Sequence, residues 1–307
     1  MSRLLPTLAI TIACAAGFGV APARAESSQG GAFRLPGYGA RAWGMAGAMA
    51  ARANDESAVD WNPAGMAFCP RTIGLSYVDL VPGASLEQSQ LVFVTPLGTV
   101  RDTETGVARH VVGGMYTNVS ADVGDEMYSE NHLRAAYAFT PEPLLSVGIA
   151  AQAFLSTSGV PGFDAWGTSV DLAVRLSLTE RWSAGLVGRD AFSRYSYDDG
   201  RDYQKERQVV LGLARRDLWG LDVEGDIVYS YGDWTRALVG AESGYLFGRV
   251  SLRGGVAFFN AGESRVAYTF GASACAARAR LLVHYAANID DEDAFGVTHR
   301  VSLGLRL

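Results

Sequence analysis

The sequence predicts an all-β fold, a 14-stranded antiparallel transmembrane β-barrel with an N-terminal hatch or plug segment. Three observations predict it: an export leader at the N-terminus, period-two alternation from about residue 71 to the last residue, and a glycine-rich, non-alternating stretch between them. The division that follows is signal peptide 1–25, lumenal hatch 26–70 and transmembrane barrel 71–307.

Met1 to Arg3 form a short basic start, and Leu4 to Val20 is apolar apart from small or hydroxylated residues and one proline. Ala23-Arg24-Ala25 has the small-x-small form of a cleavage site, so cleavage is expected near Ala25. A retained anchor needs a longer apolar run. Lipoprotein cleavage before Cys14 would cut the apolar core short, and Thr11-Ile12-Ala13 fits it poorly. Removing Arg3 and Arg24 leaves 24 basic and 32 acidic side chains, a net charge of −8. Such a charge argues against a nucleic-acid partner, which needs a basic stripe. No later stretch approaches 18 consecutive apolar residues, so no transmembrane helix is expected.

The alternating segments cover about 72–81, 88–96, 107–116, 131–139, 144–155, 166–178, 181–192, 204–215, 220–231, 235–246, 248–259, 264–274, 278–289 and 296–307. Period two sends successive side chains to opposite faces of a sheet. From Trp166 to Leu178 one face is almost wholly apolar, and the other carries Ser169, Asp171, Arg175 and Ser177. A membrane barrel turns the first face to lipid and the second to its lumen. Fourteen is even, as such barrels require, and the connections read as short on one side and longer and acidic on the other: 117–130, 193–203 and 290–295. A soluble sandwich has no reason for that alternation. Aromatics near strand ends, such as Tyr137, Trp166, Trp182 and Tyr245, suggest interfacial girdles. These features place the chain in a cell outer membrane, with lipid and lipopolysaccharide as surroundings, and as a monomer.

Residues 26–70 are rich in Gly and Ala and show no period-two run. Irregular backbone survives at membrane depth only when buried in protein or lining a cavity, so a plug inside the lumen fits. The segment reads Gly31-Ala-Phe-Arg-Leu35, Gly39-Ala-Arg-Ala-Trp-Gly-Met-Ala-Gly47, Asn54-Asp-Glu-Ser-Ala58 and Trp61-Asn-Pro-Ala-Gly65. In order and spacing this resembles the hatch of the FadL/TodX outer-membrane transport family. The resemblance implies a passive channel for hydrophobic small molecules such as fatty acids or aromatic hydrocarbons. It also implies that Phe33 and Leu35 reach a ligand pocket and that Asn62, Pro63, Ala64 and Gly65 shape the hatch. PorV-type barrels are similar in this segment, so a structural or secretion-accessory role stands as the alternative. Plain plug packing is the simpler reading of these residues.

The external loops are short for the fatty-acid members of that family, and the predicted lumen is heavily charged. Its charges include Asp171, Arg175, Arg189, Asp222, Glu224, Asp226, Glu242 and Arg253, with Arg134, Arg236, Arg249, Arg265, Arg280, Arg300 and Arg306 also assigned inward. A cross-strand ion network explains them without a substrate. His110, His132, His284 and His299 fall on separate segments and form no metal motif, and no nucleophile motif accompanies them. No enzyme activity, cofactor or metal is therefore expected. Asp290-Asp-Glu-Asp293 reads as a solvated loop. Cys69, at the hatch end, and Cys275, in a turn, fall near one rim and leave open a disulfide or two separate thiols.

Overall fold

A computed structural model describes residues 37–81, 85–98, 106–123, 126–159, 164–230, 233–260, 265–276, 280–290 and 297–307. The leader, its cleavage site, the stretch 26–36 with Phe33 and Leu35, and residues 291–296 lie outside them.

After two short helices, α1 (Ala40–Gly44) and α2 (Ala58–Trp61), and a 3-10 helix (Pro63–Phe68), the rest is strand. In chain order these are β1 (Thr72–Val81), β2 (Leu86–Pro96), β3 (His110–Val123), β4 (Glu126–Glu142), β5 (Leu145–Ser158), β6 (Ala165–Ser177), β7 (Trp182–Tyr197), β8 (Asp202–Tyr203), β9 (Gln208–Leu218), β10 (Leu221–Ser230), β11 (Asp233–Ser243), β12 (Val250–Phe259), β13 (Arg265–Ala276), β14 (Leu281–Asp290) and β15 (Val297–Arg306). Fourteen of them form a closed antiparallel sheet, and β8 is a two-residue extra paired to β7. Closure joins β1 to β15, from Thr72 opposite Arg306 to Asp79 opposite His299. Closure removes the free edges, and that is the condition for strands to cross lipid. The rim where β1 begins and β15 ends is called the terminal rim below.

Alternation decides which face is which. On β6, Trp166 is 57% exposed and Leu172 points outward, while Asp171 and Arg175, on the other face, are buried in the interior. Leu75, Leu91, Leu133, Phe270 and Leu303 likewise face outward from a shell with no second layer around it. Tyr137, Trp182, Tyr245 and Phe258 share this outer face.

Two expectations about the connections are corrected. Residues 117–130 are not a loop: β3 runs on to Val123 and β4 starts at Glu126. Their polar residues still alternate, and polar side chains in a wall above the apolar band cost nothing. The longest connection, 97–109, joins β2 to β3 where both end at the terminal rim, so loop length does not separate the two rims.

Among the described residues, the ladder between β7 and β9 ends partway along β7. Pairing of β7 with β9 runs from Trp182 opposite Arg215 to Arg189 opposite Gln208, and then stops. Above it β7 bulges at Asp190, which has φ 52°, keeps its pairing with β6, and on its β9 side meets only the two residues of β8. Residues 204–207 bridge the interval through side chains: Lys205 N donates to Ser193 Oγ at 2.9 Å, and Ser230 Oγ donates to Arg207 O at 3.1 Å.

Candidate functional site

Residues 37–69 sit inside the barrel, and their irregular backbone is satisfied by inward side chains of the wall. On β10, Asp226 accepts from Met49 N at 2.9 Å and Ala50 N at 3.0 Å, and Glu224 accepts from Ala51 N at 2.5 Å. The carbonyls of the same stretch turn the other way. Ser183 Oγ donates to Ala51 O at 3.1 Å and Arg175 Nη1 to Ala53 O at 3.0 Å. An open backbone in a dry interior needs every N–H and C=O paired. Acids on β10 and donors on β6 and β7 supply those partners.

Wall glycines bring the segment close. A Cβ at Gly240 would lie 2.6 Å from Met45 O, and one at Gly255 would lie 2.7 Å from Ala46 N. Either would push the chain off the wall.

Ion pairs lock the helices. Arg41 of α1 meets Glu242 and Asp55, each at 2.7 Å, and Asn54 at 2.8 Å. Glu242 also holds Arg253 at 3.0 Å and Arg52 at 3.1 Å, while Arg52 reaches Asp222 at 2.9 Å. Burial raises the Asp55 carboxyl and Arg41 overrides it, so Asp55 stays below its ordinary range. Arg134 pairs with Asp171 and donates to Val59 O at 2.9 Å. Arg175 lies 3.8 Å over the Phe68 ring, and Arg189 5.3 Å over Trp61.

Of the residues the hatch motif singled out, Asn62, Pro63, Ala64 and Gly65 are all buried. Asn62 caps the 3-10 helix: its Oδ1 accepts from Ala64 N at 2.9 Å and its amide donates to Ala50 O. Pro63 starts that helix, where no N–H is needed. Ser146 Oγ donates to Ala64 O at 2.8 Å. Of the lumen charges, Asp171, Arg175, Glu224, Asp226, Glu242 and Arg253 are buried, and Arg189 and Asp222 are half-buried. Arg249 and Arg280, assigned to the lumen from alternation, are instead exposed at the terminal rim, because each precedes its strand. Neither Cys69 nor Cys275 is in a disulfide. Cys69 is buried with its thiol donating to Pro70 O at 3.2 Å, and Cys275 belongs to β13, not to the turn after it.

A cavity of about 170 Å³ lies between the hatch and the wall. Trp43 closes one side, and Leu80, Ala286, Ala287, Asn288, Thr298 and Arg300 line the rest. Arg300 lies 4.7 Å over the Trp43 ring and donates to Gly37 O and to Gln88 Oε1. The Asn288 Oδ1 atom is buried without a partner among the described residues. The lining thus mixes apolar Trp43, Leu80, Ala286 and Ala287 with polar Asn288, Thr298 and Arg300. Sequence reading missed it, because Trp43, Leu80 and Ala286 belong to separate elements and only the barrel's closure brings β14, β15 and β1 together.

No protein-family profile matches the chain, and no curated protein does. Solved structures do. The toluene transporter TbuX of Ralstonia pickettii matches over 90% of this chain and 100% of its own, at 15% identity and a TM-score of 0.64. The toluene transporter TodX of P. putida matches over 89% and 99%, at 14% identity and 0.63. A FadL homologue of Pseudomonas aeruginosa matches over 89% and 99%, at 14% identity and 0.62. The chain therefore shares the fold of these channels.

Proposed function

We propose that the chain is an outer-membrane channel of the FadL/TodX type, for passive uptake of hydrophobic small molecules. The observation that carries this reading is the cavity beside Trp43, within a fold shared over 90% of the chain with a toluene transporter. Its volume of about 170 Å³ suits a single ring or a short chain, since an apolar cavity of about 150 Å³ holds benzene. Greasy solutes cross a hydrated surface layer poorly but partition readily into acyl chains. A channel therefore has only to receive such a solute and release it sideways. The break at 204–207, bridged by the side chains of Ser193 and Ser230, is where a lateral exit costs the fewest backbone bonds.

In this reading the terminal rim faces the periplasm, and residues 26–70 form the plug that keeps the channel from leaking. Purified protein is expected to bind at least one member of a panel of monoaromatics and fatty acids, and its deletion to slow uptake of that compound. No binding to any member, together with undiminished uptake, would remove the reading. Co-purification with a large secretion complex would favour the accessory role instead.

A further inference from the structure

Seven strands rise from the terminal rim: β1, β3, β5, β7, β10, β12 and β14. Five of them are immediately preceded by arginine, namely Arg71, Arg109, Arg181, Arg249 and Arg280. The placement is structural as well as sequential. Each of the five carbonyls accepts the last ladder bond from the neighbouring strand: Leu307 N to Arg71 O at 2.9 Å, Thr140 N to Arg109 O at 2.9 Å, and 2.8 Å for Arg216 N to Arg181 O, Cys275 N to Arg249 O and Arg306 N to Arg280 O. The five backbones therefore stand at one level of the wall and are spread around its circumference. All five residues are exposed.

Among the described residues none of the five has a carboxylate at ion-pair distance. Arg109 leans 5.9 Å over Phe139, and near the same rim Arg215 lies 5.3 Å over Trp182. This is how arginines sit at a lipid interface, with the stem on an aromatic and the head in the polar layer. Among the described residues, exposed acids on the rim are fewer, at Glu142, Glu180 and Asp217, and Asp222 is already held by Arg52. On the opposite rim Glu87, Asp122, Asp198 and Asp233 are exposed, while Asp199 and Asp202 are paired with the exposed Arg201 and Arg194.

We propose that these five arginines form a belt that binds the phosphates of anionic phospholipids in the leaflet around the terminal rim. A guanidinium fork matches two phosphate oxygens. A belt around the whole perimeter matches an annulus of lipid, whereas a protein partner would need one contiguous patch. The belt requires that the barrel stand in a membrane, but not that it transport anything.

The test is native mass spectrometry of delipidated protein titrated with phosphatidylglycerol or with phosphatidylcholine. The native chain is expected to retain phosphatidylglycerol preferentially. Changing all five arginines to glutamine should weaken that retention at least about tenfold, given the attraction of each basic residue to an anionic surface. Changing all five to lysine should preserve most of it. If the glutamine variant does not fold, Arg181→Gln and Arg249→Gln singly are each expected to lower retention about fivefold. Equal retention of the two lipids by the native chain would overturn the proposal. So would unchanged retention in the glutamine variants, including the case in which they lose a co-purifying protein instead. Binding of a hydrophobic solute should be the same in all variants, which separates this result from the fate of the transport reading.

Discussion

Glu56 lies in the hatch against the wall glycines Gly74 and Gly304, where a Cβ would come within 2.8 and 2.9 Å of it. Burial first, then the neighbouring Asp55, push its carboxyl from 4.5 up to about 8. The folded chain thus keeps a proton that the unfolded chain releases. That contribution to stability is whole below about pH 4.5 and is lost as pH rises toward about 8. Glu56→Gln is expected to remove this slope: the variant should match the native chain at pH 4 and melt higher at pH 9. Heat-modified mobility of the detergent-solubilised protein, measured across that range, checks it. Asn62→Ala should cost about 1–3 kcal/mol, because Ala50 O and Ala64 N each lose their Asn62 bond inside the hatch. The Asn62-Pro63 pair was legible in the sequence because a cap and its helix are local. Asp226 as an acceptor for Met49 N was not, since 177 residues separate them. No spacing rule reaches that far.

At the scale of strands, alternation was enough to orient β6, and the structure adds what each face touches. Leu172→Arg places a cation on the outer face and should cost roughly 2–4 kcal/mol in refolding titrations, if that face meets lipid. Asp171→Ala should cost about 3–5 kcal/mol for another reason: it strands buried Arg134. Replacing Arg134 and Asp171 together by leucine should recover part of that loss, whereas no second change in the lumen rescues Leu172→Arg. That pairing spans β4 and β6 with β5 between them, so sequence periodicity put both residues inside without joining them. Strand ends were less legible. Polar residues near 117–130 read as a loop, yet β3 and β4 continue through most of them, because a wall that rises beyond the apolar band no longer needs an apolar face.

For the whole molecule, the closed sheet of fourteen strands followed from counting alternating segments, while the filled lumen follows from contacts that no count reveals. Deleting residues 26–65 should leave a folded barrel with higher conductance in a planar bilayer, since the strand ladder closes without them. Gly240→Val, which drives a side chain against Met45 O, should raise conductance in the same direction by a smaller amount. The central claim is that the cavity beside Trp43 receives a small hydrophobic molecule, and calorimetric titration of single-ring compounds into the native chain and into Ala286→Phe tests it most directly. Ala286 is buried in the cavity wall, so phenylalanine there fills the space without touching the outer face. The account predicts saturable binding of one molecule per chain, weakened at least about tenfold in the variant, as expected when the site is occupied by the protein's own ring. Equal affinity in the two proteins, or no heat of binding with any compound, would contradict it.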